Sequence, residues 1–592
     1  MQKINNRLAH LRNLMCAHKL SAYIVPGTDP HAGEYIADCW KERDWISGFD
    51  GSAGTVALTL EKAGVWVDSR YYLQADEQLK DTEYEVMKIG LPGVPDILSW
   101  LVQQLKPGEQ VGVNPEMFSV NAFAHMEETL GKQGVNVVQL DLIREMWLDR
   151  PAIPNHPIFV LDEKFSGKSS LNKMDELRKK MKNVQADVFI TSTLDEIAWL
   201  FNIRGSDVNY NPVAIAYACV SQQEAILYVS AEKLTDEVRQ YLKSQSITVK
   251  DYLAIYEDIA SIPHNQKVLF DGNKLNRSLF ESIPAACTVI PMLSPVAQMK
   301  SIKNETELAG FRKAMIKDGV ALTRFFIWLE ENVGSGKLTE LSITDKLHDF
   351  RAEQEDFYGE SFATITGYAG HGAIVHYKAD EKSDVTILPE GILLLDSGAQ
   401  FLHGTTDITR TVTLGMPTKQ QKIDFTLVLK GHIGLATAKF PVGTRGSQLD
   451  ILARKAMWDR GLNYGHGTGH GIGHFLNVHE GPQSIRMEEN PVTLQPGMII
   501  SNEPGLYRTN KYGVRTENLI HVVEDRQTEF GSFLKFETLT YFPIDTNLID
   551  KDLLTAEEIN WLNTYHQEVY DRIAPHLSDA ERIWLQKKTK AI

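Results

Sequence analysis

Four carboxylates and a group of imidazoles in the C-terminal half of the sequence stand in apolar or Gly-rich contexts, where charged groups need a reason to be. Asp396 ends the apolar run Ile392–Leu395 and precedes Ser397-Gly398, and Asp407 opens the run Asp-Ile-Thr-Arg-Thr-Val-Thr after His403-Gly404. An acid at each edge of an antiparallel hairpin brings two carboxylates together, and these repel unless protonated or bridged by cations. A metal pair removes that conflict, although Asp-Ser-Gly is also ordinary turn chemistry. Further on come His466-Gly467-Thr468-Gly469-His470-Gly471-Ile472-Gly473-His474 and Val478-His479-Glu480-Gly481-Pro482. Glycine at this density lets the backbone approach a ligand closely, and so many imidazoles together are hard to satisfy as core residues. Glu503 then ends the apolar stretch Ile499-Ile500-Ser501-Asn502, and Glu517 lies inside Gly513-Val514-Arg515-Thr516-Glu517-Asn518. Arg515 and Glu517, two apart on a strand, share a face, so an ion pair between them is the plain alternative for Glu517. Singly each residue has such an alternative; together, the order Asp, Asp, His, Glu, Glu is a sharper signal.

The elements that must hold these residues follow from periodicity. From Asn304 the residues Leu308, Phe311, Met315, Leu322, Phe326 and Leu329 fall mostly at helical spacing, so a long amphipathic helix opens a third domain. Strand-like segments follow at Gly391–Leu395, Asp407–Leu414, Met498–Asn502 and Val514–Val523, with a helix near Leu449–Asp459. Thr555-x-x-Glu558 and Ser578-x-x-Glu581 are capping-box patterns ahead of apolar-spaced residues and predict two short helices in the tail.

The first half reads as a weak internal duplication of an αβ domain. Helical spacing at Leu8, Leu11 and Leu14–Met15, a strand at Ala22–Pro26 and the phrase Trp45-Ile46-Ser47-Gly48-Phe49-Asp50-Gly51-Ser52 come first. A helix at Met174–Met181, a strand at Ala186–Ile190 and Trp199-Leu200-Phe201-Asn202-Ile203-Arg204-Gly205-Ser206 repeat the order, followed by strands Val213–Val220 and Ala225–Val229. A linker rich in Pro and polar residues, Asp149–Lys168, separates the copies. The fold class expected is α/β with α+β character, divided into residues 1–155, 156–297, 298–547 and 548–592.

The 592 residues, 43% hydrophobic and 23% charged, are ordinary globular values and allow several cores. Lys+Arg 61 against Asp+Glu 77 gives a net charge of −16, which repels a phosphate backbone, and the longest apolar runs fall far short of a bilayer span, so neither nucleic acid nor membrane is an expected partner. Charged residues run through the N-terminal region where a signal peptide needs an unbroken apolar stretch. Cys16, Cys39, Cys219 and Cys287 are too few for a disulfide framework, and the expectation is reduced, mostly buried thiols in a cytoplasmic protein.

With these motifs in place, the order and flanking words resemble the metallopeptidase family with the pita-bread fold, which includes aminopeptidase P, prolidase and methionine aminopeptidase. SGFDGSAGT, FNIRGSDVNYNPV, HGTGHGIG and NVHEGP are similar to the long, three-domain form of aminopeptidase P over essentially the whole chain. The resemblance implies two creatinase-like N-terminal α/β domains, a pita-bread catalytic domain and a helical C-terminal extension. It places metal ligands at Asp396, Asp407, His470, Glu503 and Glu517, catalytic roles at His376, His479 and Glu503, and substrate contacts at His466 and Arg515. His474 departs from the pattern, and the expectation for it is a surface or supporting imidazole.

Two divalent cations would balance four carboxylates and acidify a bound water into a bridging hydroxide. Oxygen donors with one imidazole favour Mn²⁺-type hard cations, and the resemblance also points to manganese. The implied reaction is hydrolysis of the N-terminal Xaa-Pro bond of peptides; a prolidase acting on Xaa-Pro dipeptides and a metal-free peptide-binding module are the alternatives. Trp458, at a position resembling an interface tryptophan in related aminopeptidases, implies a homodimer through the catalytic domain, with ordinary core packing as the alternative.

Overall fold

The apolar run Ala22–Pro26 forms a strand with those limits, all but its last residue buried. It sits inside a six-stranded sheet, antiparallel to Thr55–Thr59 (Ala22 opposite Thr59) on one side and parallel to Gln110–Val113 on the other. Ala63–Val67 and Glu85–Lys88 complete one edge and Asn136–Gln139 the other. Val188–Thr191 holds the same place in a second six-stranded sheet, antiparallel to Tyr217–Ser221 and parallel to Lys267–Phe270, with Ala225–Tyr228 and Ile247–Lys250 beyond the first and Thr288–Pro291 beyond the second. Order and direction of every neighbour agree between the two sheets, so the repeated order of elements in the sequence corresponds to a repeated topology. In each copy the Trp-containing phrase begins inside the short helix that follows the central strand, Glu42–Ser47 and Leu194–Leu200.

This computed structural model describes residues 2–592 and is mixed α/β throughout. The chain divides into two units, Met1–Asp162 with Lys168–Ala297, and Glu163–Gly167 with Gln298–Ile592. The Pro-rich linker is therefore not featureless. Phe159–Val160 pairs with Ile203–Arg204, and the helical turn Glu163–Ser166 belongs to the second unit. The strand expected at Val213–Val220 begins only at Tyr217, because upstream the Ile215 N–H donates to Asp207 Oδ2 (2.7 Å) instead of a ladder carbonyl. The expectation of mostly buried thiols needs correcting: Cys39 is buried, Cys219 and Cys287 are half-buried, and Cys16 lies exposed on the outer face of helix Gln2–Ala17.

In the second unit the helix predicted from Asn304 spans Glu305–Asn332 and starts with a full capping box, Asn304 and Glu307 each bonding the other's backbone N–H. Leu308, Phe311, Met315, Leu322, Phe326 and Leu329 are all buried. Ile392–Ser397, buried along its whole length, lies between Ile365–Tyr368 and Ile408–Thr413 in an antiparallel sheet. A six-stranded antiparallel sheet runs Lys439–Pro441, Gly531–Thr538, Asn518–Thr528, Ile499–Asn502, Gly469–Gly471, Glu480–Ile485. The single strand expected over Val514–Val523 is instead two. Tyr512–Arg515 pairs with Gly505–Arg508, Asn518–Thr528 joins the large sheet, and the chain changes sheets at Thr516-Glu517. The tail forms helices Ala556–Ile573 and Asp579–Lys588, each opened by the capping box read from sequence. Among the described residues no helix is long and apolar enough to cross a membrane.

Candidate metal centre

Asp396 and Asp407 come from the two arms of one hairpin, Asp396 opposite Thr409 in the register and Asp407 one residue before its strand. His470 lies on the short strand Gly469–Gly471, Glu503 just past Ile499–Asn502, and Glu517 at the crossing between sheets. Donor atoms of Asp407, His470 and Glu517 lie within 4.8 Å of one another. His470 Nε2 is 3.5 Å from Asp407 Oδ2 and 3.4 Å from Glu503 Oε1. His470 Nδ1 is 3.0 Å from the Gly471 carbonyl; donation there fixes the tautomer and leaves the Nε2 lone pair facing the carboxylates.

The glycines around His470 have a reason other than ligand approach. Strand Gly469–Gly471 is squeezed between two neighbours, and a Cβ on Gly469 would collide with the Ser501 carbonyl, one on Gly471 with that of Glu480. Their smallness lets three strands close around the imidazole.

Supporting bonds come from side chains that sequence reading did not single out. Thr409 Oγ1 donates to Glu517 Oε2 (2.7 Å), and Ser501 Oγ donates to Glu503 Oε1 (3.2 Å) while accepting from the His470 N–H (3.0 Å). Alternation from Asp407 puts Thr409 on the same face, a signal the sequence did contain.

Arg515, 1% exposed, does not make the alternative ion pair with Glu517. Its Nη2 is 2.5 Å from Asp396 Oδ2, because the switch of sheets carries Glu517 away from Arg515's strand face while Tyr512–Arg515 packs against the Asp396 strand. Arg515 also donates to Tyr507 Oη (2.7 Å) and to the Val375 carbonyl (3.3 Å), and Tyr507 Oη is 2.8 Å from His466 Nε2. Thus Asp396, Arg515, Tyr507 and His466 form one chain of contacts, and the segment carrying His376 is tied to it through Val375. The His479 ring stands edge-on to His470 at 4.4 Å. His474 is not a surface imidazole: it is 2% exposed, edge-on to Phe311.

The electrostatics call for cations. Burial, then the charges of Glu517, Asp396 and Glu503, push the Asp407 carboxyl far above its usual range. Burial does the same to Glu517, and takes Glu503 to about 7. So many carboxylates cannot all ionise in one dry place without positive charge beside them. Asp396 Oδ1 is buried and accepts no hydrogen bond from the described residues. Oxygen-rich donors, one oriented imidazole and an acceptor left open fit a site for divalent cations.

Comparisons with known proteins place the chain among metallopeptidases. Residues 7–146 and 149–307 each match the creatinase/prolidase N-terminal domain, residues 309–524 metallopeptidase family M24, and residues 532–592 the C-terminal region of that peptidase family. A probable Xaa-Pro aminopeptidase P of Aspergillus flavus is 44% identical over 614 residues, covering 100% of this chain and 94% of the relative. Aminopeptidase P2 of Arabidopsis thaliana is 40% identical, covering 100% and 89%. The crystal structure of X-prolyl aminopeptidase from Caenorhabditis elegans, described as a cytosolic enzyme with a di-nuclear active site, superposes with a TM-score of 0.96 at 36% identity over the whole of both chains. A Xaa-Pro dipeptidase of Bacillus anthracis, 23% identical with a TM-score of 0.51, covers 64% of this chain and shares the fold alone.

Proposed function

The chain belongs to metallopeptidase family M24, alongside the Xaa-Pro aminopeptidases P, and on that premise we propose that it is a dinuclear metallo-aminopeptidase releasing the N-terminal residue of peptides whose second residue is proline. The observation that carries this reading is the convergence of Asp407, His470 and Glu517, with Glu503 against His470 and a buried open acceptor on Asp396. In this reading Asp396, Asp407, His470, Glu503 and Glu517 would together hold the two ions. When bound, two divalent cations acidify water and polarise the scissile carbonyl. The oxygen-rich donor set favours manganese.

The residues around the ions supply the rest. Arg515 holds Asp396 by one oxygen and leaves the other for its ligand role; through Tyr507 it reaches His466, which shapes the proline pocket with it. Arg515 so contacts substrate only at second hand. A bond to proline nitrogen is a tertiary amide with no N–H, so the enzyme cannot hold the leaving group by that donor. His376 provides the substitute, an imidazole that donates to the leaving nitrogen as the bond breaks. His479 donates to the oxygen that gains charge, and Glu503 accepts the proton of the attacking water.

Residues 1–155 and 156–297 are the two creatinase-like domains of this reading, 298–547 the catalytic domain and 548–592 its extension. The enzyme works in the cytoplasm, in keeping with the cytosolic character of the nematode enzyme. It is a homodimer through the face that carries Trp458, which is 41% exposed on helix Gly446–Trp458, two turns after the exposed Ile451.

The test is a Mn²⁺-supplemented digestion of Xaa-Pro-Xaa and Xaa-Ala-Xaa peptides beside Xaa-Pro dipeptides. Release of the first residue from the Xaa-Pro-Xaa peptide, with the alanine peptide untouched, is expected; cleavage of dipeptides alone would make it a prolidase and overturn the reading.

A further inference from the structure

The C-terminal helix Ala556–Ile573 carries the buried Tyr565 and the half-buried Trp561, and both rings meet groups that grip the metal-ligand strands. The Tyr565 hydroxyl accepts from Arg410 Nη2 (2.9 Å) and lies 2.9 Å and 3.0 Å from the Phe542 and Thr540 carbonyls, to one of which it donates. Arg410 is buried and spends its guanidinium on the backbone around the site. Nη1 donates to the carbonyls of Glu517 (2.6 Å) and Thr409 (2.9 Å), Nε to the Pro543 carbonyl (2.9 Å), and Nη2 shares its two N–H groups among Tyr565 Oη, Asn518 Oδ1 (2.8 Å) and the Phe542 carbonyl (2.7 Å). One cation therefore ties together Glu517, its neighbour Asn518, and the Thr409 whose hydroxyl bonds Glu517 Oε2.

Trp561, stacked on Tyr565 at 5.4 Å, stands edge-on to the buried His432. His432 bonds Asn502 twice, ring Nδ1 to the Asn502 carbonyl (3.0 Å) and its own carbonyl to Asn502 Nδ2 (2.9 Å), and its Nε2 accepts from Asn518 Nδ2 (3.2 Å). The residue before Glu503 and the residue after Glu517 thus hang on one imidazole.

We propose that the C-terminal extension is a brace for the metal centre, with Tyr565 and Trp561 as positioning residues that act through Arg410 and His432 on the backbone carrying Asp407, Glu503 and Glu517. The inference rests on the reading of those three as metal ligands. Groups that orient metal ligands without touching the metal are typically worth about 10–100-fold in affinity.

The test uses the full chain, stripped with chelator and titrated with Mn²⁺ by calorimetry, with the melting temperature of the metal-free protein measured alongside. Wild type is expected to take up two ions; uptake of none overturns the site reading and this inference together. Tyr565→Phe keeps the ring and removes one hydroxyl. It is expected to bind Mn²⁺ about tenfold more weakly, to melt close to wild type when metal-free, and to recover wild-type kcat at saturating Mn²⁺. Tyr570→Phe, half-buried on the same helix, leaves the titration unchanged. Wild-type Mn²⁺ affinity in Tyr565→Phe, or an equal loss in the Tyr570 control, overturns the brace while leaving the site reading intact. If Tyr565→Phe does not fold, Trp561→Phe is read in the same way: a weakened titration supports the brace and a wild-type one overturns it.

Discussion

Asp407 is where the charge argument is most exposed to test. Asp407→Asn keeps the side chain's size and removes one negative charge from the group that the cations must balance. Metal analysis is expected to find one or both ions gone and the peptide assay no turnover; a fully active, fully loaded variant refutes the assignment. His376→Ala tests the opposite case, a residue proposed to work on the substrate and not on the metal. It is expected to retain both ions and lose about 10²–10⁴ in kcat, both read on the same sample. Missing metal or unchanged turnover would show that His376 is misplaced. The Asp, Asp, His, Glu, Glu order could be read because the five residues together, in apolar and Gly-rich surroundings, say more than any one of them, each of which has an ordinary structural alternative. The contacts of Ser501 with the His470 N–H and of Tyr507 with His466 could not, since their partners are distant in sequence; alternation put Thr409 on the face of Asp407, but the register that brings Asp396 opposite Thr409 is written in no local pattern.

At the level of elements, the two glycines beside His470 carry close strand approaches at the site. Gly471→Ala places a methyl group against the Glu480 carbonyl. Overpacking of this kind typically costs about 1–3 kcal/mol, so a lower melting temperature is expected, together with less bound metal because the strand that shifts carries His470. Wild-type melting with full metal occupancy would show that the sheet absorbs the methyl. The helix starts in the tail were the most legible, because Thr555 and Ser578 with their Glu partners write the cap into four residues, whereas the helix after Asn304 was read from its apolar spacing. The break at Thr516-Glu517 was not legible. The run Val514–Val523 keeps a strand-like composition across it, and only the competing partners Gly505–Arg508 and Ile499–Asn502 pull its halves into different sheets.

For the whole molecule, the exposed Trp458 predicts a subunit contact. Light scattering at micromolar concentration is expected to give twice the chain mass, and Trp458→Glu to give the monomer with its metals retained; a wild-type monomer refutes the dimer. The duplication could be seen in sequence only as a repeated order of helix, strand and aromatic-Gly-Ser phrase, since pairing partners and not residue identities are what the two sheets share. The path of the chain between the two units sets a rule for dissecting the protein. The turn Glu163–Ser166 is encoded amid the first unit but belongs to the second, where the Ser166 carbonyl accepts from Asn304 Nδ2 (2.9 Å) and Phe165 stands edge-on to His403. No single cut, in a gene or by a protease, therefore separates the two units cleanly. A fragment starting at residue 298 lacks its own small clasp and bares the Asn304 amide and one side of His403, so the catalytic half is inherited, expressed and engineered only with a piece of its neighbour's sequence.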